Sequence, residues 1–245
     1  MMSKVITLLL ALAGAMSTVS IAGAQTAAST PAAAGIAASP ANAMAPGNGG
    51  SAAAGHAKAA MCSGCHGIVG YQASFPEVYK VPMIAGQGAK YIVSALTEYK
   101  KGERKHPSMR AVATSLTDAD MADLAAYYEQ LGAAPALKTV ADAPAAQPLP
   151  EVGALLAKGA CASCHGASFS KPIDPAYPKL AGQHADYLFA ALRAYGTEGN
   201  PHMGRANAIM SGQVKQFKRD ELKAIASYLS TLPGEVHTVS QSKFK

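Results

Sequence analysis

The 245-residue sequence has no tryptophan, and only 6% of its residues are aromatic. Charged residues are scarce too, at 15%, with a slight basic excess of +6 spread along the chain. No long run of lysine and arginine occurs, which excludes the electrostatic footprint of a nucleic-acid-binding protein. With so few large side chains and so much alanine and glycine, two domains of about 100 residues would have thin cores of their own. A large apolar cofactor in each would make up the deficit.

What is present begins with a secretory layout: Lys4, then the apolar run Val5 to Met16, then Ala22-Gly23-Ala24. This predicts a signal peptide over 1–24, cleaved after Ala24, and export to the periplasm. The alternative is an uncleaved membrane tether, because Val5 to Ala24 is uncharged over about the 20 residues that a spanning helix needs. No cysteine lies near the cleavage site, so a lipid-anchored lipoprotein is excluded. Residues 25–51 are rich in Ala, Pro and Ser with no periodicity and read as a disordered tether. A similar segment, 132–150, contains Pro135, Pro144, Pro148 and Pro150 and reads as a linker. It leaves one domain over 52–131, a second over 151–232, and a C-terminal tail over 233–245.

Those two halves repeat each other with a period of about 100 residues. Ala60-Met61-Cys62-Ser63-Gly64-Cys65-His66-Gly67 parallels Ala160-Cys161-Ala162-Ser163-Cys164-His165-Gly166, and Pro82-Met83-Ile84-Ala85-Gly86-Gln87 parallels Pro178-Lys179-Leu180-Ala181-Gly182-Gln183. Tyr91, Leu96 and Tyr99 then match Tyr187, Leu192 and Tyr195. Each half reads as three helices: a short one entering the cysteine motif, one over Gly88 to Lys100 (Ala185 to Tyr195 in the repeat), and one opening at Thr117-Asp118-Ala119-Asp120. The face of the last is Met121, Leu124, Ala125 and Tyr128. No alternating stretch is long enough for a strand, so the fold class is all-α.

The four cysteines fall only as Cys-x-x-Cys pairs, Cys62 with Cys65 and Cys161 with Cys164, each followed at once by histidine. An even number in an exported chain first suggests disulfides. Cys-x-x-Cys-His is instead the attachment signature of c-type haem. Thiols three positions apart on a helical turn can add across the two vinyl groups of one porphyrin, and the adjacent His66 or His165 then lies beneath the iron. Two copies in a duplicated exported chain predict two covalent haem c groups. A methionine opposite the histidine suits an electron carrier. Met109 stands as far before Leu116 as Met210 stands before Phe217, so these two occupy equivalent positions and are the expected sixth ligands. Met203 is the rival to Met210, whereas Met83 and Met121 face Lys179 and Leu222 in the repeat and read as packing. A ligating histidine normally donates its second ring N–H to a fixed acceptor, for which the carbonyls of Pro82 and Pro178 are candidates. Gln87, Gln183, Tyr91 and Tyr187 recur in both halves and are candidates for bonding haem propionates, against helix capping and core packing. His56, His106, His184, His202 and His237 have no repeat partner and read as surface residues. Lys100, Lys101, Arg104 and Lys105 form either a solvated loop or a docking patch for an acidic partner.

On these motifs the sequence resembles the dihaem cytochrome c4 family over about Ser51 to Leu232. The resemblance implies two packed class I cytochrome c domains, with electrons received from a quinol-oxidising complex and passed toward a haem–copper terminal oxidase. The long segment before Ser51 departs from the family's usual short N-terminus. Three functions compete: a carrier that catalyses nothing itself, the cytochrome subunit of a periplasmic dehydrogenase, and a dihaem peroxidase or thiosulfate-oxidising enzyme. Two equivalent methionines argue against a peroxidase, and cysteine ligation is excluded because all four thiols are consumed in attachment.

Overall fold

The computed structural model describes residues 49–133 and 145–240. The signal peptide over 1–24 with its cleavage site, most of the tether, Pro135 and Pro144 of the linker, and the last five residues of the tail lie outside the described residues. Both halves fall within one compact unit. No helix of the described residues is long and apolar enough to cross a membrane.

Ten helices occur among the described residues, five in each half rather than the three that periodicity suggests. The first half has α1 (Ala52–Lys58), α2 (Ala60–His66), α3 (Ala89–Lys101), α4 (Pro107–Thr114) and α5 (Asp118–Leu131). The second repeats them as α6 (Pro150–Lys158), α7 (Cys161–His165), α8 (Ala185–Tyr195), α9 (Ala208–Val214) and α10 (Arg219–Thr231). One extra helix arises because the chain breaks just before each cysteine motif, at Ala59 and at Gly159-Ala160. The other is the short helix that carries Met109 or Met210.

Each half is built around its last helix. In α5 the Thr117 hydroxyl accepts from the Asp120 N–H (3.1 Å), and the Asp120 carboxylate accepts from the Thr117 N–H (3.0 Å). That capping box satisfies two of the orphan donors at the helix start and places two acids against its positive end. The expected face is buried: Met121, Leu124, Ala125 and Tyr128 are all 5% exposed or less. Each large apolar side chain so buried contributes about 1.5–3 kcal/mol. Helix α5 packs on α1 and α3, as α10 packs on α6 and α8. The approach of α1 to α5 is so close that a side chain at Gly55 would overlap the Asp123 carbonyl. Lys58 then ties the pair, with its ammonium 2.6 Å from both Asp120 and Asp123.

The halves meet across an approximate two-fold axis on which repeat counterparts exchange contacts. Four two-residue strands are present among the described residues. Two of them, β1 (Gln72–Ala73) and β2 (Tyr79–Lys80), pair within the first half. The others, β3 (Arg104–Lys105) and β4 (Gly204–Arg205), pair antiparallel across the seam, with Arg104 opposite its own counterpart Arg205. Arg193 of the second half forms an ion pair with Glu77 of the first, and the Lys80 N–H donates to Asp186 at 3.0 Å.

The tail is not a free end over its described part. After α10 the chain turns back onto the first half. The His237 N–H donates to the Ala85 carbonyl at 2.9 Å, Val236 is 3% exposed, and Val239 packs on the first half's core. Glu235 pairs with Lys179 at 2.6 Å. Gly86 is left-handed (φ 84°), and a side chain there would overlap the Glu235 carbonyl, so only glycine admits the crossing tail.

Candidate functional site

Cys62 and Cys65 lie one turn apart in α2, and Cys161 and Cys164 lie one turn apart in α7. None of the four is in a disulfide. Burial pushes the Cys62 and Cys161 thiols up. Among the described residues no cluster of three or more His, Cys, Asp and Glu could hold a metal ion.

Both histidines are held by the loop that follows them. His66 Nδ1 is 2.8 Å from the Pro82 carbonyl, and His165 Nδ1 is 3.2 Å from the Pro178 carbonyl. A carbonyl can only accept, so the proton is on Nδ1 and each Nε2 carries a free lone pair for a metal. Burial lowers the pKa of both rings, which keeps the imidazoles neutral and competent to ligate.

Met109 and Met210 hold the same place in α4 and α9, the third residue, with their N–H groups donating to the capping side chains of His106 (3.3 Å) and Asn207 (3.0 Å). His106 is therefore the counterpart of Asn207 and a helix cap rather than a surface residue. Proline at the first position of α4 marks that start. Met121, at 1% exposure, lies beneath Thr97 in the core, and Met203 lines a cavity at the seam beside Tyr187 and Arg205.

Other expectations need correction. Gln87 and Gln183 do not wait for a ligand, because their amides clasp the opposite half. The Gln87 side chain donates to the Lys179 carbonyl (3.0 Å) and accepts from the Lys179 N–H (2.9 Å). Gln183 does the same to Met83, the counterpart of Lys179, at 2.8 and 3.0 Å. Of the basic stretch, only Arg104 leaves the surface: it is 5% exposed and faces the seam. Lys100, Lys101 and Lys105 are exposed, with Lys100 donating to the Leu116 carbonyl and Lys105 to the Asn200 carbonyl. Of the five other histidines, His56 and His202 are exposed as expected, whereas His106, His184 and His237 are half-buried.

What the sequence did not show is the role of Arg104. It donates to Tyr91 Oη at 3.0 Å and to Tyr187 Oη at 2.6 Å, while Arg205 donates to Tyr187 Oη at 3.2 Å. Burial alone would raise the Tyr187 phenol, but the two guanidinium groups overcome it and bring it down to about 8. The spacing that relates Met109 to Met210 also relates Arg104 to Arg205, so the repeat contained the signal.

The family model for cytochrome c matches residues 51–132 and again 150–233. Cytochrome c4 of Azotobacter vinelandii is 34% identical, over 75% of this chain and 90% of that protein. The chain belongs to the dihaem cytochrome c4 family. The crystal structure of reduced cytochrome c4 from Pseudomonas stutzeri matches with a TM-score of 0.53 and 27% identity, over 75% of this chain and 99% of that one. A thiosulfate dehydrogenase electron acceptor of Stutzerimonas stutzeri is 32% identical, over 71% of this chain and 80% of that protein. As a cytochrome c4, the chain binds two haem c groups and carries electrons rather than catalysing a reaction. The donor set fits that cofactor: paired thiols on one turn, a neutral histidine with Nε2 free, and a buried Arg104 whose Nε has no protein partner.

Proposed function

We propose that this cytochrome c4 is a periplasmic carrier passing single electrons between respiratory-chain partners, from a quinol-oxidising complex toward a terminal oxidase. Cys62 and Cys65 would hold the first haem, with His66 and Met109 as the ligands of its iron. Cys161, Cys164, His165 and Met210 would do the same for the second, and the domains run over 52–131 and 151–232. When bound, each haem supplies an iron that gains or loses one electron. The chain contributes rigidity and orientation. Pro82 and Pro178 fix the histidine tautomers, His106 and Asn207 fix the first turn that bears each methionine, and the glutamine clasps fix one half against the other.

The observation that carries this reading is the exact repetition of one donor arrangement in both halves, histidine tied to a proline carbonyl and methionine at the third position of a capped helix. An optical redox titration of the matured protein, with carbon monoxide added to the reduced form, tests it. Two high-potential low-spin centres that ignore carbon monoxide are expected. A centre of low potential, or one that binds carbon monoxide, would withdraw the methionine assignment for that half and restore the enzyme reading.

A second reading, electron acceptor of a periplasmic dehydrogenase, is supported by the thiosulfate dehydrogenase electron acceptor among the relatives. Reduction of the protein by a purified thiosulfate dehydrogenase faster than by a quinol-oxidising complex would select it.

A further inference from the structure

The two histidines differ in what holds the loop behind them. The Pro82 carbonyl that fixes His66 opens residues 82–87, and the Pro178 carbonyl that fixes His165 opens residues 178–183. Two ties are common to both loops. The glutamine clasp holds Met83 as it holds Lys179. The last helix of each half takes the glycine N–H, Gly86 on the Tyr128 carbonyl (2.8 Å) and Gly182 on the Leu229 carbonyl (3.0 Å).

A third tie is not shared. In the second half the Phe169 carbonyl accepts from both the Leu180 N–H (2.7 Å) and the Ala181 N–H (3.1 Å). Phe169 is left-handed there (φ 57°), a costly backbone that its buried ring holds in place. Ile84 and Ala85, the counterparts of Leu180 and Ala181, make no such bond to their own half among the described residues. The tail of the second half stands in that place. His237 bridges antiparallel to Ala85, its N–H donating to the Ala85 carbonyl at 2.9 Å. The Lys179 ammonium joins tail to loop, 2.6 Å from the Glu235 carboxylate and donating to the Gly86 carbonyl at 2.8 Å. Val236 is buried, and Val239 packs on the core cluster that also takes in Ile84 and Cys62.

We propose that Lys179, Glu235, Val236 and His237 of the second half are positioning residues for the first haem, holding residues 82–87 so that the Pro82 carbonyl stays on His66 Nδ1. A histidine that keeps this hydrogen bond is the more basic ligand, which favours oxidised iron and lowers the potential. The second half thus sets part of the first haem's potential through its tail, whereas the corresponding tie behind His165 comes from Phe169 in its own half. The proposal rests on the reading that His66 ligates the first haem's iron.

The test is proton NMR of the full-length protein carrying two covalent haems, in the reduced state and through a redox titration. Ligation is read first, in wild type, because the porphyrin ring current shifts the ring protons of a bound histidine strongly upfield. A His66 ring without that shift would withdraw the ligand assignment, and this proposal with it, before any variant is compared. Val236→Asp, which puts a carboxylate in an apolar seat, speeds solvent exchange of the His66 Nδ1–H roughly tenfold, the scale on which one or two lost hydrogen bonds shift a local opening. It also raises the midpoint potential that the His66 signal follows, while His165 exchange and the other potential stay as they are. Lys179→Met, the side chain of its repeat counterpart, acts in the same direction more weakly, and carries the test alone should the aspartate variant fail to fold. Lys58→Gln, which loosens α1 from α5 within the first half, moves neither exchange rate. Unchanged His66 exchange, an equal rise at His165, or the same rise from Lys58→Gln would overturn the proposal. So would a fall in the first haem's potential, since the tail would then only keep water from the iron.

Discussion

Replacing Gln183 by alanine tests the seam most directly. The side chain is 3% exposed and makes two hydrogen bonds to the backbone of one residue of the opposite half, at 2.8 and 3.0 Å. Each such bond is worth about 1 kcal/mol net, and each buried backbone group left unpaired costs about 1–3 kcal/mol. With partial hydration of the Met83 peptide, the loss comes to about 3 kcal/mol. Gln87→Ala removes the matching pair from Lys179 and should cost about as much. The two clasps close one seam, so the double variant should lose less than the sum, with a coupling of about 0.5–3 kcal/mol. Denaturant unfolding followed by the haem absorption of each variant measures all four corners of the cycle. A loss below about 0.5 kcal/mol for Gln183→Ala, the range of an ordinary surface substitution, would refute the clasp. Strict additivity would refute the shared seam.

Met109→Ala or Met210→Ala should leave its haem attached, lower that haem's potential and open the iron to carbon monoxide. Unchanged ligation in the Met210 variant would move the assignment to Met203. Changing Cys62 and Cys65 together to alanine should halve the covalent haem content measured by pyridine haemochrome. Gly86→Ala should cost about 1–2 kcal/mol for its left-handed backbone and lift the tail, so that carboxypeptidase trims the chain back toward Leu232; a tail that resists digestion would contradict the crossing described here. Lys58, then the Ser51 N–H, hold the Asp123 carboxyl below the usual carboxylate range. Its stabilising contribution is therefore complete above the unfolded value of about 3.9 and lost as pH falls through the lower native value. The stability difference between wild type and Asp123→Asn, taken from melts across that range, should shrink with acid.

Local features were readable from the sequence because their causes are local. The capping box of α5 is written in Thr117 and Asp120, and the haem motifs in adjacent residues. The repeat supplied Met109 and Met210, whose equivalence as third residues of capped helices is a fact of chain spacing. Helices α4 and α9 escaped notice because seven or eight residues carry too little periodicity, although His106-Pro107 and Asn207 were usable start signals. Gln87 and Gln183 were misread for a different reason. Their partners, the peptides of Lys179 and Met83, lie in the opposite half, and a backbone peptide leaves no mark in sequence. Arg104 was read with its basic neighbours in the chain, whereas its environment is set by Arg205 and Tyr187 across the seam. The tail shows the same limit: Val236 and Val239 are unremarkable until the first half is placed beside them.

The pairing of Arg104 with Arg205 has a consequence for how such a chain can change over time. In an isologous dimer of identical subunits, a residue on the axis meets itself, so any substitution there acts twice. Joining the two copies in one polypeptide releases that constraint while keeping the geometry. Met83 and Lys179, or His106 and Asn207, show the freedom in use: each pair holds one position in the symmetry with two different side chains. A symmetric pair of redox centres has no preferred direction, and fusion is what permits the two ends to be tuned separately.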